Sequence, residues 1–133
     1  MAIILMVLLG FTLDIARAYY SFQVIKDAAG EGAYFGSVHP TWDDNISPSC
    51  PDPHNVAYRV RHAAPGGLVD LSGAAVTVAA PSTAAGSLIT VSVTVNYQLV
   101  APFTGAFIGS QSLPLTATSS ARILAPPDAA CPS

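Results

Sequence analysis

The sequence predicts an α+β protein in which a long N-terminal, membrane-anchored helix packs on a small antiparallel sheet, with one short helix beside it. Three observations carry this. The chain opens on a stretch from Met1 to Gly36 that holds no proline and begins with an apolar run. Beyond Leu68 the apolar residues recur at every second position, the pattern of strands with one buried face. Hydrophobic residues make up 51% of the chain and charged residues only 10%, well below the roughly 25% of an ordinary soluble domain. Either a membrane or a large interface must cover the excess.

The opening stretch reads as one helix with two jobs. At ~1.5 Å per residue it would be roughly 54 Å long, more than the ~30 Å hydrocarbon core of a bilayer. About the first 20 residues form the anchor, by the length a span needs, and the rest emerges to pack on the domain. Gly10 is the only early glycine and is tolerated in a transmembrane helix. Asp14 and Arg17, three apart on one face, mark the membrane exit, because charge at bilayer depth is costly. Tyr19, Tyr20 and Phe22 follow as an aromatic belt would. The pure apolar run, Met1 to Leu13, is short for a span, so two other readings stay open. One is a secretory signal peptide cut near Ala16-Arg17-Ala18, although no basic residue precedes the run and Asp14 sits close to the cut. The other is a buried core helix.

Past Arg17, the residues Ala18, Phe22, Ile25, Ala29, Gly32 and Gly36 recur at steps of three and four, an apolar stripe along one side of a helix. Its distal half, Ala29, Gly32, Ala33 and Gly36, is made of small residues that let another backbone come close. The stripe faces either the protein's own sheet, the commoner case, or another subunit.

Residues 37–133 read as a single α+β domain with three main strands. Ser37 to Pro51 is a proline-rich loop, in which Asp43-Asp44-Asn45 lacks the spacing of a calcium loop and reads as a solvated turn. Asp52 and Pro53 have the form of an N-cap and first helical residue. Val56, Val60 and Ala63 or Ala64 would face inward, Arg59, Arg61 and His62 outward, and Gly66-Gly67 would end that helix. Strands are expected over Ala74 to Ala80, Leu88 to Val100 and Leu113 to Leu124. The second is the clearest: Ile89, Val91, Val93, Val95, Tyr97 and Leu99 alternate with Thr90, Ser92, Thr94, Asn96 and Gln98. Its apolar face wants a cover, and the long helix is the natural one. Between the second and third strands an apolar loop carries Phe103, Phe107 and Ile108, which either close the end of the core, the favoured expectation, or dip into a membrane or neighbour.

Cys50 and Cys131 flank the regular segments, an arrangement that favours a disulfide, and hence an oxidising compartment, over two free thiols. That places the domain outside the cytoplasm. A net charge of −3 gives nucleic-acid binding no electrostatic support. His39, His54 and His62 have no metal-ligand partner at helical spacing, and no CxxC pair, nucleophile elbow or phosphate-cradling loop occurs. The expectation is a protein that is not an enzyme, with no cofactor, no metal and no small-molecule substrate, whose partners are membrane lipid and other subunits.

The run Leu9-Gly10, Asp14, Arg17-Ala18-Tyr19-Tyr20, Gln23 and Ala28-Ala29-Gly30-Glu31-Gly32-Ala33 resembles the TadE-like proteins, pseudopilins of bacterial tight-adherence (Flp) pili. The second strand, with its V-x-V-x-Y ending, and the L-x-A-T segment from Leu115 fit less specifically. The resemblance implies a pilin-like fold and a minor pilin or pilus-assembly component, single-pass in a bacterial cell membrane with its C-terminal domain extracytoplasmic. Family members usually carry a basic leader and an acidic residue early in the apolar run, whereas Asp14 is the first acid here. This implies either a start upstream of Met1 or a member not processed as a pilin. The alternative role is an accessory subunit of another large membrane complex, such as an electron-transfer assembly; a secreted binding domain is a more distant third.

Overall fold

The computed structural model describes residues 1–42, 50–65, 67, 69–100, 102–126 and 131, of which residues 102–104 by backbone alone. It is an α+β arrangement of a long helix, a three-stranded antiparallel sheet and short helices. The long helix, α1, runs unbroken over Ala2–Val38. Thr12 and Ser21 turn their hydroxyls back onto the carbonyls of Leu8 and Arg17, both at 2.8 Å, so neither interrupts the ladder. It ends where Pro40 can no longer supply an N–H, and the His39 amide closes the last turn on Phe35 O at 3.0 Å.

The buried side of α1 is Ser21, Ile25, Ala28, Ala29, Gly32, Ala33 and Gly36. This corrects the expected stripe at its proximal end: Phe22 is exposed and Ala18 only half-buried, while Ser21 takes the inward position. A hydroxyl bonded back to its own helix can be buried at small cost, so a polar residue serves where the pattern called for an apolar one.

The second helix, α2, spans Val56–Arg61. Its cap is Asn55, not Asp52, and the Asp52-Pro53 peptide is cis. The Asn55 carbonyl oxygen accepts from the Tyr58 amide at 2.6 Å, and its Nδ2 donates to Asp52 Oδ1 at 2.7 Å and to Cys50 O at 3.2 Å. Asp52 thus holds the cap from outside the helix. Val56, Ala57 and Val60 are buried, whereas Ala63 is exposed and Ala64 half-buried, because the helix ends at Arg61 rather than at the expected glycines. Gly66 and the Asp43-Asp44-Asn45 cluster lie outside the described residues. Replacing Asn55 with alanine should cost about 1–2 kcal/mol in a denaturant melt, since it removes the cap and leaves Cys50 O without that donor; Asp52→Ala should cost less.

Strands β1 (Ala75–Ala79), β2 (Leu88–Gln98) and β3 (Ser112–Arg122) lie in that order, each antiparallel to its neighbour. The register opposes Val91 to both Val78 and Ser119, and Val93 to Val76 and Ala117. Ile89, Val91 and Val93 are fully buried, and with Ile25, Val56, Val60 and Ile123 they make the core. The opposite face is a ladder of hydroxyl pairs, Thr90–Ser120, Ser92–Thr118 and Thr94–Thr116, at 2.9 to 3.0 Å. Alternation therefore divides β2 as the sequence implies, one face to the helix and one to water. A Cys50–Cys131 disulfide, Cα–Cα 5.4 Å, ties the approach to α2 to the tail.

The segment after β2 is helical rather than a loop: α3 covers Pro102–Ile108. Pro102 stands at its first position, where its missing N–H is not needed, and Gly109 closes it at φ 84°, its amide bonded to Gly105 O at 2.9 Å.

Candidate functional site

The small residues of α1 meet the protein's own core. A Cβ placed on Gly32 would stand 2.5 Å from Val60 Cγ2 and 3.3 Å from both Val56 Cγ1 and Val91 Cγ1. One placed on Gly36 would collide with Ile89 Cδ1. Ala29 and Ala33 are buried in the same seam. The absence of side chains there lets α1 lie against α2 and β2 at once. Gly30, one position round the helix, differs: its nearest neighbour would be Ser119 Oγ at 3.9 Å.

The N-terminal part of α1 is the reverse. Ile3, Leu5 and Met6 are 71–79% exposed, with Ile4, Leu8, Leu9, Phe11 and Leu13 also open. The helix is long and apolar enough to cross a membrane, with that segment uncovered by the rest of the chain. Asp14 interrupts this apolar surface and is buried, only 3% exposed, whereas Arg17, Tyr19 and Tyr20 are exposed. The four expected exit residues thus share one stretch of helix, but Asp14 turns toward protein.

Phe107 is 82% exposed and Ile108 50%, which corrects the expectation that they close the core. A helix of this length can bury only one side, and α3 spends that side on Gly105, which is buried and whose Cβ would collide with the Gln111 side chain. Of Phe103 only the backbone is described, within α3.

Two features were not anticipated from the sequence. Phe35, His39, Trp42 and His54 gather at the far end of α1, with the His39 and Trp42 rings stacked at 3.9 Å and the Arg59 guanidinium 4.9 Å from the Phe35 ring centre. The i, i+4 spacing of Phe35 and His39 was the available signal. A groove of about 480 Å³ also runs between α1 and α2, with Asp27 and Glu31 on one wall and Arg59 and His62 on the other. Among the described residues no three His, Cys, Asp or Glu side chains gather where an ion could sit.

No family model, curated protein or solved structure matches this chain.

Proposed function

We propose that this protein is a non-enzymatic, single-pass membrane protein that works as a TadE-like minor pilin or pilus-assembly component, with its sheet domain extracytoplasmic. The observation that carries the reading is the division of one unbroken helix. Its first third is apolar and uncovered, and its last third lays one face against a small sheet. A subunit that assembles laterally in a bilayer while holding a folded head outside it needs that division. The resemblance of the segment Asp14 to Ala33 to the TadE-like proteins supports the assembly role. The uncovered helix could equally seat in another large membrane complex.

Purification of the native protein in mild detergent separates the two. Co-isolation of pilus-assembly proteins is the expected result; co-isolation of the subunits of a membrane enzyme would replace it with the accessory role. Orientation has its own check. A membrane-impermeant thiol reagent applied to intact, reduced cells should label Cys50 and Cys131, and labelling only after lysis would place the domain on the cytoplasmic side.

A further inference from the structure

We infer that α3 is a membrane-interface foot: Phe107 and Ile108, with Val100 two residues past the preceding strand, insert into the headgroup and upper acyl region of the bilayer beside the exit of α1. The inference rests on α1 being the anchor, and its test keeps the two apart.

The position of α3 along α1 follows from the packing. Gly36 lies against Ile89, and Gly32 against Val91, so β2 runs antiparallel to α1. The eight steps from Ile89 to Tyr97 advance ~27 Å at ~3.4 Å each, and ~18 helix residues cover that distance. Tyr97 should therefore stand level with residue 18. In keeping with this, Tyr97, Gln98 and Val100 line a cleft of about 310 Å³ together with Arg17 and Ser21. The chain then continues in the same direction into α3, which touches α1. This brings α3 to the stretch where α1 passes from its covered half to its apolar, uncovered half.

At that level exposed apolar side chains stand beside the charged Arg17 and Asp70, which line the same cleft. Val100 is 61% exposed, Phe107 82% and Ile108 50%, and on α1 Phe11, Leu13 and Ile15 are exposed as well. The chemistry of the segment selects lipid over a charged protein partner. From Leu71 to Ala121 the chain has no Asp, Glu, Lys, Arg or His. The foot itself carries no ionised group to desolvate; the charges near it are Arg17 and Asp70 of the adjoining cleft, one of each sign. Aromatic and aliphatic side chains on a short helix lying at the headgroup boundary are the usual means of such contact.

The full-length protein in phosphatidylcholine vesicles tests this. With Trp42→Phe as background, Phe107→Trp and Phe11→Trp each report one depth through quenching by brominated lipids. The expected result is quenching at position 107 that is stronger from bromine near the headgroup than from bromine at the chain end, together with quenching at position 11. Quenching at position 11 with position 107 open to aqueous iodide, or closed to both quenchers, would overturn the foot and leave the anchor standing. No lipid quenching at either would overturn both. Because Trp42 stacks on His39 and its removal risks the fold, the unaltered protein is also photolabelled with a diazirine phospholipid. Cross-linked peptide containing Phe107 and Ile108 is expected, and label confined to α1 would refute the proposal.

Discussion

Replacing Gly32 with leucine is expected to lower the melting temperature of the full-length protein by about 12 °C or more. A Cβ there would stand 2.5 Å from Val60 Cγ2, too close without a shift of one or the other, and 3.3 Å from Val56 Cγ1 and Val91 Cγ1, which would have to give slightly. Overpacking a well-filled core costs about 1–3 kcal/mol, and three valines closing on one point put Gly32 at the upper end. For a domain of this size each kcal/mol moves the melt by roughly 4–8 °C. Gly30→Ala is the contrast. It meets nothing nearer than 3.9 Å, and exchanging a helical glycine for alanine should stabilise by up to about 1 kcal/mol. An unchanged melt for Gly32→Leu combined with failed assembly would mean that this seam is a contact with another subunit.

Loss of the disulfide should have an effect of similar or larger size. Cys50 and Cys131 are 81 residues apart, and a cross-link closing a loop of that length restricts the unfolded chain by about 4–5 kcal/mol in the loop-entropy treatment. Cys50→Ser with Cys131→Ser should therefore melt about 16–20 °C lower than the parent, taking the lower slope of the same conversion. Non-reducing peptide mapping of the parent should return one linked fragment. Two freely alkylated peptides from protein kept under oxidising conditions would contradict the bond.

The pattern of β2 made the sheet legible in advance, since strict alternation from Ile89 to Tyr97 permits few other folds, and its bare apolar face called for a helix to cover it. The small residues at Gly32 and Gly36 announced close approach but not its partner. What lies against a glycine is decided by residues far away in sequence, here Val60, Val91 and Ile89. Two misreadings have a common origin in local chemistry. Asp52-Pro53 has the form of a helix start, yet Asn55 captures the Tyr58 amide and Asp52 is recruited to support it. Glycines in the segment after β2 suggested a loop, yet Gly105 serves as a packing surface for Gln111 and Gly109 as the terminator of a helix. Exposure of Phe107 had no signal in sequence, because an aromatic side chain alone does not say whether water, lipid or protein lies beyond it.

With α1 spanning a bilayer as proposed, its continuity would make the anchor and the head one mechanical lever. Its 37 residues contain no proline and no break at the exit, so there is no hinge to absorb a change of angle. Transmembrane helices tilt by about 20° on average, and by more when the bilayer thins. From Tyr20 to Val38 the helix extends roughly 27 Å beyond the exit, so a tilt of about 20° carries its far end some ~9 Å sideways. The aromatic end of the helix at Phe35 and His39 would sweep through that arc with every change in bilayer thickness. On that reading an unkinked helix would convert membrane deformation into lateral displacement of the head, without any rearrangement inside the domain.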